Sequence, residues 1–404
     1  MKLVRIGVAI AIGSIAFACG SPSATSHVGS MPSPSDISVS PAIPSPTTSP
    51  TPSPKASPSG SPTPSAKPRP TAVTLSCTSI PVAANEPLVL VQSPKGTLIE
   101  SFANPMHPVT LCSISSNASN VKFISWTEIG YTINNVPDAP STGVTEIWRM
   151  RLTDKRPVSV AKFKGDAVDF AWSPDGSNLS YLVRTEVPSE AERLWLKVGA
   201  AAPRALTPLI PLYGREYISS DDLMVRFSHD GRYLLMVDTV VNPRYFQVWS
   251  VPGGKVVWSP PEPSTGPLTM AVWSHLSDRI YYQSSGVRAW DAVTKVVKIV
   301  ADGLNWSSPS LSPDDRLIAY AAAGSDGKPH LEVRDLGSGS VRILAGVRGL
   351  PVLLSDNLMI EGHYLANVNG APGPAYYVGR YYALNLLTNV EIALAGPPSD
   401  VWTR

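Results

Sequence analysis

Histidines, paired acidic residues and cysteines are the side chains of this sequence whose types and positions could do chemistry. His229 and His275 each follow a serine in two similar segments, so they could face one rim and bind a metal ion. We interpret them instead as replacements for a proline at one turn position. The acidic pairs at residues 221–222 and 314–315 are interpreted as solvated turn residues in loops.

No linear catalytic motif occurs. The sequence contains no G-x-S-x-G nucleophile elbow, no C-x-x-C pair, no H-E-x-x-H zinc motif and no EF-hand loop. We therefore predict no catalytic residue, no cofactor and no metal site. The formal net charge is +2, from 33 Lys and Arg against 31 Asp and Glu. Because binding to phosphates needs a basic face, this balance argues against a nucleic-acid partner.

A short motif recurs from residue 73 onward and must position any site that exists. In each copy an apolar or aromatic residue precedes serine, a turn and an alternating apolar run. The clear copies are residues 170–176 and 225–231, the weaker ones are 272–275, 310–315 and 353–357, and the degenerate ones are 124–126 and 91–96. In Ser-Pro-Asp-Gly, proline fixes φ, aspartate caps the turn and glycine accepts a positive φ. The motif therefore predicts a hairpin with a type I turn followed by a left-handed residue.

Each repeat continues with further strands. An apolar segment recurs about 22 residues after most anchors, and a turn then leads into a fourth strand, so each unit contains four short antiparallel strands. The anchors are spaced by about 46 residues, a period that matches the blades of a β-propeller. We expect the anchors to be structural, and they are Trp126, Trp172, Phe227, Trp273, Leu311, Leu354 and Trp402.

The segment Trp-Ser-Pro-Asp-Gly at residues 172–176, followed by a tryptophan-containing strand, resembles the WD40-like PD40 repeat. That family builds TolB-type propellers and the propellers beside some serine peptidases. The resemblance covers roughly residues 88–403 and is strongest at Trp172 and Phe227. It implies an all-β fold, a β-propeller of four-stranded antiparallel blades. The sequence departs from the family pattern because the last unit lacks the Pro-Asp-Gly turn and the first lacks the aromatic anchor.

We predict seven blades, with six as the alternative. In the first unit, residues 88–91, 97–102 and 109–114 align with the second, third and fourth strands of other units. Its innermost strand is missing. Residues 399–403 resemble residues 270–274 and could supply it, so both termini would close the ring and remove an unpaired strand edge.

The N-terminus reads as an export signal followed by a tether. Lys2 and Arg5 precede an apolar run over residues 6–17, which has the length and flanks of a secretory signal. Cys19, directly after Ala18, resembles the cysteine of a bacterial lipobox, which implies a lipid anchor. The alternative is an ordinary A-x-A cleavage site and a soluble secreted protein. The predicted domains are a signal peptide at 1–18, a disordered Pro/Ser/Thr-rich tether at 19–72 and a propeller at 73–404.

Two further cysteines, Cys77 and Cys112, form an even pair in an exported domain. We predict a disulfide between them that fastens the segment before the first blade. The alternative is two free, buried thiols.

These observations favour a binding or scaffolding module on the outer face of the bacterial cell membrane. We expect a monomer whose partner is a protein or another envelope component, and loops at residues 132–145, 185–193 and 357–377 are candidate binding surfaces. The alternative is an enzyme, a hydrolase or lyase acting on cell-wall or extracellular glycan or peptide in the central channel. A third hypothesis is a structural spacer or sensor ectodomain.

Overall fold

Seven small antiparallel sheets form the part of the chain that the structure describes. This computed structural model describes residues 73–403 without residues 82, 137–141, 186–190, 212–222, 239–244, 261–270, 285, 303–308, 327 and 367–375. Within these ranges no α-helix occurs, and so none could serve as a membrane span. The all-β, seven-bladed prediction is confirmed, and the six-bladed alternative is wrong.

Blades 1 to 4 come from a little more than the first half of the described chain, and blade 1 also takes one strand from its end. Blade 1 contains β1 (Leu75–Cys77), β2 (Leu88–Ser93), β3 (Gly96–Ser101), β4 (Val109–Ser115) and β30 (Pro398–Trp402). Blade 2 contains β5 (Ser119–Ser125), β6 (Glu128–Asn134), β7 (Val144–Arg151) and β8 (Pro157–Lys164). Blade 3 contains β9 (Asp166–Trp172), β10 (Asn178–Thr185), β11 (Ala191–Val198), β12 (Arg204–Ala205) and β13 (Ile210–Pro211). Blade 4 contains β14 (Leu223–Phe227), β15 (Tyr233–Asp238), β16 (Tyr245–Ser250) and β17 (Lys255–Trp258).

Blades 5 to 7 each have four strands. Blade 5 contains β18 (Ala271–Trp273), β19 (Arg279–Gln283), β20 (Gly286–Asp291) and β21 (Val297–Asp302). Blade 6 contains β22 (Ser310–Leu311), β23 (Leu317–Ala323), β24 (Pro329–Asp335) and β25 (Val341–Leu344). Blade 7 contains β26 (Arg348–Ser355), β27 (Leu358–Ala366), β28 (Tyr376–Asn385) and β29 (Glu391–Ala393).

The first strand of each of blades 2 to 7 lies innermost, next to the propeller axis, and in blade 1 that place is taken by β30, which we count as the first strand of blade 1. First strands of neighbouring blades contact one another, as β9 does β14 and β30 does β5. Fourth strands such as β8 and β25 are largely exposed, which places them at the outer rim. Side chains on the first strands therefore converge on the axis.

The predicted hairpin turns are present where the signature is complete. In blade 3, Ser173 Oγ accepts a hydrogen bond from Asn178 N at 2.8 Å, and Asp175 Oδ1 accepts one from Ser177 N at 3.0 Å. Gly176 then adopts φ +67°, the left-handed conformation that glycine tolerates. Blades 4 and 6 repeat this pattern, so the turn prediction is confirmed there.

Both ends of the chain complete blade 1. Strand β30 pairs antiparallel with β2, with Leu88 opposite Trp402 and Val89 opposite Val401, so the predicted closure is confirmed. Residues 88–91, 97–102 and 109–114 lie mainly on β2, β3 and β4, the second, third and fourth strands of blade 1 as predicted, so the degenerate motif copy at 91–96 spans the turn between the second and third strands.

The predicted anchors lie at the ends of the first strands. Trp172, Phe227, Trp273, Leu311 and Trp402 end β9, β14, β18, β22 and β30, Leu354 lies inside β26, and Trp126 follows β5 by one residue. Several of them, including Trp273 and Leu311, join apolar clusters that combine side chains of two blades. Each blade therefore buries its faces only against its neighbours.

The cysteines add a fifth strand to blade 1. Cys77 on β1 lies opposite Cys112 on β4, and the two sulfurs are bonded. The sequence did not predict β1 as a strand. Only three residues form it, and they pair with β4, where Cys112 lies 35 residues after Cys77 in the sequence.

Candidate functional site

Four charged residues meet at the axis of the propeller. They come from the first strands of four consecutive blades: Asp400 on β30, Lys122 on β5, Asp169 on β9 and Arg226 on β14. Two acids and two bases thus alternate around half of the ring. We call these four residues the axial cluster.

The carboxylates of the axial cluster are engaged by cations and by backbone. Lys122 Nζ contacts Asp169 Oδ1, and Arg226 Nη1 lies 3.1 Å from Asp169 Oδ2. Asp169 Oδ2 also accepts a hydrogen bond from Val225 N in blade 4 at 2.7 Å. Asp400 Oδ2 accepts one from Phe123 N in blade 2 at 2.7 Å. Each aspartate therefore links its own first strand to the first strand of a neighbouring blade.

Burial and mutual charge set the ionisation of the axial cluster. Burial acts to raise the pKa of Asp169, but Lys122, Arg226 and the hydrogen bonds hold that pKa below its ordinary value. Burial and Arg226 lower the pKa of Lys122, with partial compensation by Asp169 and Asp400. Burial raises the pKa of Asp400, and Arg226 and Lys122 only partly offset it. Asp169 is thus held as a paired carboxylate and is poorly suited to exchange a proton.

Polar side chains join other first strands in the same way. Asn120 Nδ2 donates to Ala167 O at 2.7 Å between blades 2 and 3. Ser310 Oγ accepts from Leu353 N at 3.0 Å between blades 6 and 7. Trp273 Nε1 donates to the carbonyl of Arg226 at 3.2 Å between blades 5 and 4. These contacts indicate that the inner polar residues mainly hold the ring together.

The two histidines singled out in the sequence have different surroundings. His229 Nδ1 lies 3.3 Å from Asp278 Oδ1 on the neighbouring blade, where Arg232 contacts both Asp230 and Asp278. His275 is more deeply placed: its N–H donates to Asp315 Oδ1 at 2.9 Å, and burial lowers the pKa of its imidazole. Their partners differ, so the two histidines do not form a common site.

Asp315 explains why the turn of blade 5 survives without its own aspartate. Leu276 occupies the position that Asp175, Asp230 and Asp314 hold in other blades. Asp315 of blade 6 reaches over and accepts hydrogen bonds from His275 N at 2.9 Å and Leu276 N at 3.1 Å. The acidic pair at residues 314–315 thus has a structural role, whereas residues 221–222 lie outside the described residues.

An open groove lies between blades 5 and 6. Its volume is about 370 Å³, in the lower part of the range of ~300–1,000 Å³ typical of ligand sites. Apolar side chains and alternating charges line it, namely Tyr281, Val296, Ile299, Leu336, Arg279, Arg334, Asp291 and Asp335. We call it the inter-blade groove. A smaller groove of about 270 Å³ follows between blades 6 and 7.

The loops predicted as binding surfaces are only partly within the described residues. Residues 137–141, 186–190 and 367–375 lie outside them. The predicted bounds are too wide: residues 358–366 form strand β27 instead of a loop, and the ends of the three segments, at residues 132–134, 144–145, 185, 191–193 and 376–377, also belong to strands. Cys19 and the predicted signal and tether also lie outside the described residues.

Several solved structures are similar to this chain in fold. A prolyl endopeptidase matches with 13% identity and a TM-score of 0.50, covering 80% of this chain and 49% of that one. The propeller domain of the Trilobed protease from Pyrococcus furiosus matches with 11% identity and a TM-score of 0.45, covering 68% of this chain and 93% of that one. TolB from Acinetobacter baumannii matches with 17% identity and a TM-score of 0.42, covering 66% and 67%.

These similarities concern the fold alone. The chain spans about half the length of the prolyl endopeptidase that it matches. No protein-family profile matches the sequence, and no curated protein matches it. The resemblance to the PD40 repeat therefore stays a prediction. A shared fold does not assign an activity.

Proposed function

We propose that this protein is a binding or scaffolding propeller of the bacterial envelope, anchored through a lipid on Cys19 and carried on the tether. The inter-blade groove is the observation that supports binding. The partner that this groove would bind is a polypeptide segment of an envelope protein, with apolar side chains and charges of both signs. The axial cluster supports a binding role indirectly, because the charged side chains of that cluster are already engaged in contacts between blades.

The inter-blade groove has the chemistry of a protein-binding site. Val296 and Ile299 are 48% and 58% exposed, although both are apolar. Exposed apolar surface rimmed by polar groups is typical of interaction sites, and arginine and tyrosine are enriched in them. Arg279 Nη2 lies 3.1 Å from Asp291 Oδ2, so the charges at this wall are already oriented. A partner would gain buried apolar area and pair with charges that need little reordering.

A photo-crosslinking residue in the groove tests this proposal. Val296 and Ile299 are the test positions, and Val256 on blade 4 and Val158 on blade 2 are matched controls with 42% and 57% exposure. In envelope preparations, we expect one saturable crosslinked protein from the test positions and none from the controls. Equal crosslinking at all four positions, or none at the groove, contradicts a binding site there. Crosslinks to glycan instead of protein would reject the polypeptide partner.

The anchor needs its own experiment. Replacing Cys19 with Ser leaves no thiol for acylation, so the Cys19→Ser protein should be released into the medium after export. Detergent-phase partitioning of the parent protein and the variant measures the difference. If the parent protein is itself found in the aqueous phase after signal cleavage, the soluble secreted alternative holds.

A second candidate function is an enzyme with its site in the channel, acting on cell-wall or extracellular glycan or peptide. One observation favours it: burial raises the pKa of Asp400, as a general acid would require. If the protein is such an enzyme, the parent protein should turn over envelope glycan or peptide fragments, and the Asp400→Asn variant should lose that turnover. No turnover by the parent protein removes this candidate.

A further inference from the structure

A second polar cluster lies within blade 7, away from the axial cluster and the inter-blade groove. It combines Arg348 on β26, Glu361 and His363 on β27, and Glu391 on β29. Glu361 and His363 are two residues apart on one strand, so their side chains point to the same face of the sheet. We call these four residues the blade 7 cluster.

The ligand-bearing atoms of the blade 7 cluster lie close together. His363 Nε2 is 3.4 Å from Glu361 Oε1 and 3.5 Å from Glu391 Oε2. One ligand atom from each of these three residues lies within 4.8 Å of the others. The imidazole nitrogen thus faces two carboxylates at distances longer than a good hydrogen bond. The same three atoms could surround one ion.

Burial makes this arrangement costly without a further partner. Glu361 is fully buried, and its Oε2 has no hydrogen-bond partner within the described residues. The Nε2 atom of His363 is also buried and makes no hydrogen bond there. A buried carboxylate oxygen or imidazole nitrogen without a partner loses the hydration it had in the unfolded chain. These two atoms are therefore the observation that points to a ligand.

Charge counting leads to the same conclusion. The guanidinium of Arg348 contacts Glu361 Oε1 through Nη1 and Glu391 Oε1 through Nη2, the latter at 2.6 Å. One positive charge is thus shared by two carboxylates. With a neutral imidazole and both carboxylates ionised, the cluster carries one net negative charge in a largely buried position, where charge is poorly solvated, and burial raises the pKa of Glu361 to about 7 accordingly. A cation would remove that excess.

We propose that Glu361, His363 and Glu391 bind one divalent transition-metal ion of the zinc class. One imidazole nitrogen and two carboxylate oxygens are a ligand set that such ions accept. Arg348 stays on the outer side of the two carboxylates and orients them, as outer partners of metal ligands commonly do. The bound ion connects β27 to β29 across β28.

The cluster around His229 shares one feature with the blade 7 cluster, since His229 Nδ1 and Asp278 Oδ1 are also buried without a hydrogen-bond partner within the described residues, but its third ligand differs. There, Arg232 Nε contacts Asp230 and Arg232 Nη2 contacts Asp278, and Asp230 Oδ1 also accepts bonds from Ser228 Oγ and Arg232 N. The oxygens of Asp230 are therefore already used by the turn. His229 serves as the control position for the experiment.

Zinc titration of the purified protein, followed by calorimetry and by a competing chromophoric chelator, tests the proposal. We expect one Zn²⁺ per chain at micromolar concentration. Glu361→Gln and His363→Ala should weaken this binding at least ~10-fold, and His229→Ala should leave it unchanged. Absence of binding, or equal binding by the His363→Ala variant, overturns the proposal.

A second measurement does not depend on how well the variants fold. Anomalous diffraction at the zinc edge, from crystals of the parent protein grown with Zn²⁺, should show a peak between Glu361, His363 and Glu391. Circular dichroism of the variants shows whether each remains folded. A zinc peak only at His229 and Asp278, or none in the protein, overturns the proposal.

Discussion

Charged residues on the innermost strands of this protein join neighbouring blades. Asp169 shows this most clearly, because one carboxylate contacts Lys122, Arg226 and the backbone of Val225. Its side chain is only 9% exposed. Removing one charge from a buried group of ion pairs leaves its partners buried without that counter-charge. The resulting loss of unfolding free energy is larger than the net stabilisation that the intact ion pairs provide. The first prediction concerns this residue.

Asp169→Asn should lower the free energy of unfolding by about 3 kcal/mol, because Lys122 then stays buried without the carboxylate that it contacts directly. Denaturant unfolding measures the loss. Asp154→Asn is the control, since Asp154 is exposed on a turn and its carboxylate accepts a long hydrogen bond from Arg156 N at 3.3 Å. The control should change stability by less than about 0.5 kcal/mol. Similar losses in both variants would show that the axial cluster does not stabilise the ring.

Acid should reveal the role of Asp175 in its turn. Hydrogen bonds from Ser173 and Ser177 hold the pKa of Asp175 below the ordinary value of 3.8. Because the folded pKa is depressed, the carboxylate's stabilisation is complete above that value and disappears as pH falls through the folded pKa. The difference in unfolding free energy between the parent protein and Asp175→Ala should therefore be constant near neutral pH and shrink in acid. A difference that grows in acid would contradict this.

Strands and turns are where sequence and structure agree best. The turn signature is local, so its serine, aspartate and glycine predict hydrogen bonds that involve few other residues. Two elements were missed for a physical reason. Strand β1 depends on a partner far along the chain, and β27 was taken for a loop because blade 7 lacks the Pro-Asp-Gly turn that marks its neighbours.

The candidate sites could not be predicted from the sequence. Asp400, Lys122, Asp169 and Arg226 meet because they lie on the innermost strands of four consecutive blades. Their offsets from the anchor residues differ, so no alignment of the repeats places them together. The one available signal is a charge within an apolar first strand, as at Lys122 between Val121 and Phe123. The blade 7 cluster could not be predicted from the sequence either, because its members lie on three different strands.

Glycine substitutions test how turns couple neighbouring blades. Gly231 and Gly339 have nearly equal φ values, +73° and +72°. A Cβ on Gly231 would lie 3.3 Å from Ser173 Cβ of blade 3, whereas a Cβ on Gly339 would meet nothing within 4 Å. Gly339→Ala should cost about 1 kcal/mol for the left-handed backbone alone, and Gly231→Ala should cost more. Equal losses of unfolding free energy in the two variants, measured by denaturant unfolding, would contradict the contact between the Gly231 turn of blade 4 and Ser173 of blade 3.

At the scale of the whole molecule, stability depends on the ring being closed. Each apolar cluster uses side chains from neighbouring blades, and one of them combines Val401 of β30 with Leu354 and Ile360 of blade 7. Strand β30 also pairs with β2 and contacts β5. Five residues at the C-terminus thus connect blades 1, 2 and 7. This closure was predictable because residues 399–403 repeat a first-strand pattern that blade 1 otherwise lacks.

Deletion of residues 398–404 tests this closure most directly. The shortened chain exposes the β2 edge and the apolar side chains that β30 covers, and it removes the bond from Phe123 N to Asp400. We predict a melting temperature lower by ten degrees or more, roughly the effect of losing a few kcal/mol from a large domain. Deletion of Thr403 and Arg404 alone should have little effect. An unchanged melting temperature after removal of residues 398–404 would contradict a ring closed by both ends of the chain.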